Sequence, residues 1–148
     1  GDVGCYCLNF IRAIMGEEPQ SWTATVRYND HGVDMEVASQ LVFTAPKTAQ
    51  FFCSFTSNGA FANIIGSKGR LNIIEPFWVG TGEREFIYWN ENGDQETIKV
   101  KADKTGYYYE IEDFTLAILE NRPPFLSLDD SIGNLRILED IVANGKTA

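Results

Sequence analysis

The spacing of apolar residues predicts a helix, then a run of short strands, then two more helices. Near the start of the chain, the apolar residues between Leu8 and Met15 form a broad helical face, and Gly16 is a natural end for this helix. From Ser21 onward, β-branched and aromatic residues alternate with polar ones between clusters of Gly, Asn, Asp and Pro, which is typical of strands joined by tight turns. The predicted elements are a helix over Val3–Met15, strands over Ser21–Tyr28, Val37–Phe43, Thr48–Thr56, Ala60–Ile65, Arg70–Ile74, Glu85–Trp89 and Glu96–Val100, and a helix over Tyr108–Glu120.

The last two predicted helices place their apolar residues on one side. The helix over Tyr108–Glu120 has a stripe of Ile111, Phe114, Ile118 and Leu119. Ser127 caps the last helix and Gly145 ends it. Its apolar face consists of Leu128, Ile132, Leu135, Leu138, Ile141 and Val142.

The connections between the predicted strands determine the fold class. A parallel crossover needs a dozen or more residues, so strands joined by turns this short must be mostly antiparallel. The sequence therefore predicts an α+β fold with one large, mostly antiparallel sheet and helices packed on one face. We expect residues 1–148 to form a single domain.

Composition excludes several classes of partner. A net charge of −9, with 12 scattered basic residues, argues against nucleic acid and against an anionic membrane as partners. Three cysteines, Cys5, Cys7 and Cys53, form neither a disulfide framework nor a metal motif, because Cys5 and Cys7 face nearly opposite sides of a helix. We therefore expect a cytoplasmic protein without a metal site.

Asp2 and Tyr6 are the residues most suited to chemistry. They lie four residues apart at the start of a helix, so an acid and a phenol project from one face and could handle a proton for a substrate oxygen. The alternative is that Asp2 caps the helix and Tyr6 packs at its edge.

Other candidate groups favour structural roles. His31 lies in a polar turn, where we expect it to be solvated, and Glu110, Glu112 and Asp113 are expected to form a solvated helix face. The aromatic clusters 77–78 and 107–109 could line a polyol or aromatic-diol pocket, with core packing as the interpretation favoured for most of them.

The glycine-rich segments do not have the pattern of a dinucleotide site. Gly80-Thr81-Gly82 lacks the third glycine of a Gly-x-Gly-x-x-Gly loop and precedes a strand rather than a helix. Gly66-Ser67-Lys68-Gly69 lacks Walker spacing and joins two strands. We therefore expect this chain alone to bind no NAD or NADP.

Several segments resemble one known family along almost the whole chain. They are Asp2-Val3-Gly4-x-Tyr6-x-Leu8-Asn9 with Arg12, Gly16-Glu17-Glu18-Pro19, the turn Ile65–Leu71, Tyr109-Glu110-x-Glu112-Asp113-Phe114, Ser127–Leu138 and Lys146-Thr147. In this order they resemble the C-terminal domain of the Gfo/Idh/MocA oxidoreductases, in the branch of glucose–fructose oxidoreductase and dihydrodiol dehydrogenase, where Tyr replaces His.

The resemblance implies an NAD(P)-dependent oxidoreductase acting on a sugar, a polyol or a cyclic diol. Tyr6 and Asp2 would be the catalytic residues, passing a proton to or from the substrate while hydride moves to or from the nicotinamide. Asn9 and Arg12 would contact the substrate or order the site. In the family a lysine from the nucleotide domain assists, and its Glu-Lys-Pro motif does not occur in this sequence.

The resemblance also implies partners. We expect an N-terminal dinucleotide-binding domain outside this chain to hold the NAD or NADP. We further expect a homodimer through the open face of the sheet, because the strand Thr48–Thr56 is apolar on both sides. The alternatives are a non-catalytic binding module and a purely structural dimerisation domain that kept the family fold.

Overall fold

In the computed structural model, residues 1–147 are described, and their elements follow the predicted order with one short strand added at the end. The elements are α1 (Gly4–Met15), β1 (Ser21–Tyr28), β2 (Asp34–Val42), β3 (Thr48–Ser54), β4 (Phe61–Gly66), β5 (Gly69–Ile74), β6 (Gly82–Asn90), β7 (Gln95–Ala102), α2 (Gly106–Leu119), α3 (Leu128–Asn144) and β8 (Lys146–Thr147). They divide into a helix-covered unit, residues 1–58 and 126–147, and a meander unit, residues 59–125.

The helix-covered unit is a four-stranded sheet with α1 and α3 packed on one face. The strand order is β3-β2-β1-β8, with β8 parallel to β1 and the other pairs antiparallel. Residues that share the inner face by register combine with both helices into one core. Its buried members are Leu8, Val26, Val37, Leu41, Phe43, Phe51, Ile137, Leu138 and Ile141.

A glycine and a side-chain hydrogen bond help to hold the two helices against this sheet. A Cβ at Gly4 would lie 3.4 Å from Leu138 Cδ2 and 3.5 Å from Cys53 Sγ, so glycine lets α1 approach α3 and β3 closely. On the other helix, Asp140 accepts a 2.7 Å hydrogen bond from Trp22 Nε1. The inner-face aromatic residue of β1 therefore anchors α3 through a polar bond as well as through packing.

The meander unit is the four-stranded antiparallel sheet β4-β5-β6-β7, followed by α2. The β4–β5 hairpin closes through Gly69, which has a φ of +149°. A Cβ there would lie 2.2 Å from Trp89 O, so only glycine fits this position. The turn between β4 and β5 is thus a tight hairpin turn, as the sequence predicts.

The α+β class and the mostly antiparallel strands are confirmed, whereas the prediction of one large sheet is wrong. The described strands form two four-stranded sheets, and β3 and β4 do not pair across the Ser57-Asn58-Gly59 segment. Alternation along a strand shows that it is a strand, but it does not show which neighbour it pairs with. The sequence analysis also missed β8, because two residues are too few to show a pattern.

Two helix faces that the sequence predicts to be apolar are not buried in full in the structure. The stripe of α2, including Ile111 and Phe114, is exposed, and among the described residues of this helix only Ala117 is buried. In α3 the buried residues are Asn134, Ile137, Leu138 and Ile141, while the remainder of the predicted apolar face is partly or largely exposed. Periodicity identifies an amphipathic helix but does not identify the surface that covers it.

Candidate active site

The N-terminal end of α1 carries the two residues predicted to act on substrate. The helix begins at Gly4 after Val3, which makes no side-chain capping bond, and it ends at Gly16 in a left-handed conformation. Asp2 therefore lies in the turn before the helix and does not cap it, so the structural alternative for Asp2 is wrong. Its backbone carbonyl accepts a 2.9 Å hydrogen bond from Cys5 Sγ.

Tyr6 lies in the first turn of α1 and its side chain reaches the surface. It is 57% exposed, and Asp2 is exposed as well. The catalytic role of Tyr6 stays a prediction beside the alternative that it packs at the edge of the helix. An exposed phenol is a hydroxyl that can both donate and accept a hydrogen bond with a bound molecule.

Arg12, two turns further along α1, is held inside the helix-covered unit. Its Nε donates to Glu18 Oε2 at 2.8 Å, and Nη2 contacts Glu18 Oε1 and lies 3.1 Å from Asp130 Oδ1. Its Nη1 donates to the Asp130 carbonyl at 3.2 Å and to Asn134 Oδ1 at 3.5 Å. All five N–H donors of the guanidinium therefore face oxygen atoms of the chain.

The local sequence makes room for this charge. A Cβ at Gly133 would lie 2.9 Å from Arg12 Nη2, so the absence of a side chain lets the guanidinium lie against α3. Hydrogen bonding to Glu18 raises the pKa of Arg12 and lowers the pKa of Glu18. Both groups therefore stay charged, and the ion pair joins α1, the segment after it and α3.

Asn9 joins the same cluster. Its Nδ2 donates to Asp130 Oδ2 at 3.2 Å, while Asn134 Nδ2 donates to the backbone carbonyl of Cys5 at 3.2 Å. The structure thus brings Asn9 and Arg12 together at the contact between α1 and α3. Their predicted contact with a substrate stays a prediction.

Sequence reasoning missed three members of this cluster. Glu18 entered only as part of the Gly-Glu-Glu-Pro segment, Asp130 only as an acid in the first turn of a helix, and Asn134 not at all. Asn134 is separated from Arg12 by 122 residues. A lone asparagine among the apolar positions of α3 was the available signal, since a buried amide needs a polar partner.

The cysteines pack around α1 without forming disulfides. All three are free and half-buried, and burial, with a further contribution from nearby Cys53, raises the pKa of Cys7 to about 11. A thiol with so high a pKa is protonated near neutral pH and is a poor nucleophile. Within residues 1–147, no group of three or more His, Cys, Asp or Glu side chains could hold a metal ion.

The other residues considered in the sequence analysis do not belong to the cluster around Arg12. His31 is exposed, as predicted, and its backbone N–H donates to Asn29 Oδ1. Asp113, expected on a solvated face, instead accepts from Phe125 N at 2.7 Å and from Arg122 Nη2 at 2.9 Å, so it fixes the chain after α2. The aromatic residues at 77–78 and 107–109 are exposed, so core packing is the wrong interpretation for them.

Two further observations concern dinucleotide binding and membrane helices. The segment from Gly80 to Gly82 leads into β6, so it lacks the strand-to-helix turn of a dinucleotide loop. In the described part of the chain, no helix is long and apolar enough to cross a membrane.

The sequence of this chain is similar to that of known proteins. Residues 1–72 match the model of the GFO/IDH/MocA C-terminal domain. The trans-1,2-dihydrobenzene-1,2-diol dehydrogenase of Sus scrofa is 34% identical over 82 residues, which are 54% of this chain and 24% of the relative. The Xenopus laevis enzyme of the same name is 29% identical over 144 residues, covering 88% of this chain and 41% of the relative. The chain thus spans less than half the length of these curated relatives.

Solved structures share the fold. An aldose-aldose oxidoreductase from Caulobacter crescentus, complexed with glycerol, has a TM-score of 0.83 and 24% identity, covering 95% of this chain and 43% of its own. A 3-ketoreductase from Actinomadura kijaniata, in complex with NADP and TDP-benzene, has a TM-score of 0.85 and 18% identity, covering 99% and 45%. Residues 1–72 thus match the C-terminal domain of the GFO/IDH/MocA family, and almost the whole chain shares the fold of these two oxidoreductases.

Proposed function

We propose that this chain is the substrate-binding part of an NAD(P)-dependent oxidoreductase that acts on a sugar, a polyol or a cyclic diol. The relatives are named for a cyclic diol, and the structural neighbours for an aldose and a 3-keto group. All these substrates carry a hydroxyl or carbonyl oxygen that gains or loses a proton as the carbon is reduced or oxidised. The observation that supports the proposal most is the exposed phenol of Tyr6 on a helix anchored by Arg12.

In this proposal the residues of α1 have distinct roles. Tyr6 gives a proton to the substrate oxygen or takes one from it, because a phenol hydroxyl is both a donor and an acceptor. Asp2, in the turn before the helix, orients and polarises this hydroxyl without itself carrying the proton. Arg12 and Asn9 order the site through Asp130, since their polar groups are bonded within the unit.

The cofactor of the proposed enzyme lies outside this chain. Because Gly80–Gly82 leads into a strand, this segment lacks the geometry of a dinucleotide loop, and we assign NAD or NADP to a separate N-terminal nucleotide-binding domain. The contribution of this chain is then to bind the substrate and to move its proton. Titrating the isolated chain with NADPH should give no saturable change in fluorescence.

The proposal is tested by Tyr6→Phe in the complete enzyme, the chain joined to its nucleotide-binding domain. The change removes one hydroxyl and almost no volume, so the melting temperature should not change. Turnover of the diol or sugar substrate should fall by about 10²- to 10⁴-fold, the usual contribution of general acid–base catalysis. Asp2→Asn should lose less activity than Tyr6→Phe does.

Tyr88→Phe is the matched control, because the Tyr88 hydroxyl donates to the Lys68 carbonyl at 3.2 Å within the meander unit. It should leave turnover unchanged. A Tyr6→Phe enzyme within about threefold of the wild-type rate, a difference below 1.36 kcal/mol in barrier height, would contradict the catalytic role. That result would favour the alternative, a non-catalytic binding or dimerisation module.

We also propose that the protein is a homodimer that forms through a sheet face, and the distribution of apolar side chains supports the second sheet, β4-β5-β6-β7, as this face. The outer face of the first sheet is largely polar, with Thr25, Gln40 and Gln50 on it and Val42 and Phe52 as its exposed large apolar side chains among the described residues. In the second sheet, one face carries the apolar residues Ile64, Leu71, Ile73, Phe86, Ile98 and Val100. A second copy on this face would bury roughly 800 Å² per partner.

Light scattering tests this assembly. The chain should have twice its monomer mass at micromolar concentration, and Val100→Glu should reduce the mass to that of a monomer. Thr25→Glu, the same charge on the outer face of the first sheet, should leave the dimer intact. A monomer mass for the unmodified chain would contradict the dimer. The expected cytoplasmic location of the protein stays a prediction.

A further inference from the structure

Asn134 is a buried polar residue of α3 that connects the Arg12 ion pair to the peptide next to Tyr6. Its side chain is inside the core, and the residue is only 7% exposed. Its Oδ1 accepts from Arg12 Nη1 at 3.5 Å, and its Nδ2 donates to the backbone carbonyl of Cys5 at 3.2 Å. That carbonyl belongs to the peptide bond that joins Cys5 to Tyr6.

The direction of the Asn134 amide is determined by its neighbours. Arg12 has only donors, so the amide oxygen must face the guanidinium, and the amide nitrogen then faces the Cys5 carbonyl. Arg12 is in turn held by Glu18 on one side and Asp130 on the other. A planar guanidinium between two carboxylates has little rotational freedom, because each bond fixes the plane of the fork.

An apolar side chain at this position would fill the core without specifying a rotation of α1. The amide specifies one rotation, because its N–H reaches the Cys5 carbonyl at only one rotation of α1 about its axis. This explains why a polar group occupies the buried side of α3 beside Ile137 and Leu138. The chain of contacts ends one peptide bond from the side chain proposed to carry the proton.

We propose that Asn134 is a positioning residue that holds the Cys5–Tyr6 peptide and thereby sets the direction of the Tyr6 phenol. The consequence for turnover rests on the proposed function of Tyr6, whereas the consequence for the geometry of Tyr6 does not. A displacement of about 1 Å in a reacting group costs on the order of 10²-fold in rate. Loss of the amide donor should therefore reduce turnover while leaving substrate binding largely intact.

Asn134→Asp tests the donor end of the amide separately from its acceptor end. The variant keeps the size of the side chain and an acceptor for Arg12, but its carboxylate has no N–H for the Cys5 carbonyl. The matched control is Asn144→Asp, the same change in the same helix, where the Asn144 amide bonds only to Asp140 on the surface among the contacts described. Neither variant touches Tyr6 itself.

The primary readout is the fluorine NMR spectrum of the complete protein with 3-fluorotyrosine incorporated at position 6. The unmodified protein and Asn144→Asp should give the same single resonance. Asn134→Asp should shift this resonance or split it, because the phenol takes more than one direction. In steady-state kinetics, kcat of Asn134→Asp should fall by about 10- to 100-fold, with KM changed by less than about threefold.

A second variant keeps the test valid if Asn134→Asp does not fold. Arg12→Lys keeps the charge but loses the fork that orients the Asn134 amide, so the fluorine resonance should shift in the same direction by a smaller amount. An unchanged resonance in the folded variant would overturn the inference, even where Tyr6→Phe abolishes turnover. A shifted resonance together with a harmless Tyr6→Phe would uphold the positioning and overturn the proposed function instead.

Discussion

The two units of this chain bury their apolar residues to very different degrees. Of the ten buried apolar side chains among residues 1–147, nine belong to the helix-covered unit and only Ala117 to the meander unit. Both units contain a four-stranded sheet, so the difference lies in what covers the sheet. Two helices cover one face of the first sheet, whereas the large apolar residues of α2 are exposed.

This difference indicates a division of roles. A sheet with a complete core can hold side chains in one geometry, and the candidate active site lies on its first helix. A unit whose apolar residues remain accessible has surface available for a partner, because large apolar patches are uncommon on monomeric proteins. The residues proposed for catalysis and those proposed for assembly therefore lie in different units.

The largest expected effect comes from shortening a leucine in each unit. Leu41 is completely buried, whereas Leu119 of α2 is 76% exposed. Leu41→Ala should lower the free energy of unfolding by about 2–5 kcal/mol, since it leaves a cavity in the core. Leu119→Ala should change it by less than about 0.5 kcal/mol. Urea denaturation at low protein concentration measures both values, and similar losses would contradict the contrast in packing.

The next effect comes from removing one arginine from each unit. Arg12 and Arg122 each pair with two acidic side chains, but the Arg12 side chain is 5% exposed and that of Arg122 is 36% exposed. Arg12→Met should lower the free energy of unfolding by about 1–3 kcal/mol, because it removes the charged hydrogen bonds of a buried guanidinium and leaves the buried Asn134 Oδ1 without its donor. Arg122→Met should lower the free energy of unfolding only as much as the loss of an exposed ion pair does. A larger loss in the Arg122 variant would reverse the comparison.

The smallest expected effect is on the acid sensitivity of the helix-covered unit. Hydrogen bonds from Arg27 and Thr56 lower the pKa of Glu36 from 4.5 to about 2. Because the pKa is lower in the folded state, this carboxylate stabilises the fold above pH 4.5, and its contribution disappears as the pH falls from 4.5 through 2. Glu36→Gln should flatten the decline of the urea midpoint in this range. An unchanged slope would show that Glu36 is not its cause.

Local patterns in the sequence predicted most elements, because turn residues and periodicity act within a few positions. Strand β1 has the predicted bounds, and Ser127 caps α3 by accepting from Asp130 N. The division into two sheets depends on which strands pair, which no local pattern encodes. In the same way, α2 shows an amphipathic stripe, but the sequence does not reveal what covers it.

The candidate site also has one part that the local sequence predicts and another part that depends on the fold. Asp2 and Tyr6 were found because they lie close together in sequence and resemble a family motif. The cluster around Arg12 was found only in part, because Asn134 reaches it from the other end of the chain. Contacts between residues so far apart depend on the packing of α1 on α3, which follows from the whole core rather than from either helix alone.

The central claim is that the phenol of Tyr6 moves the substrate proton. The most direct test replaces Tyr6 by 3-fluorotyrosine in the complete enzyme and follows turnover as a function of pH. Fluorine makes a phenol more acidic without changing its hydroxyl, so the pH profile of kcat should move to lower pH. The same replacement at Tyr88, whose hydroxyl bonds to the Lys68 carbonyl, should leave the profile unchanged. An identical profile for the enzyme modified at Tyr6 would contradict the claim and would assign the proton to another group.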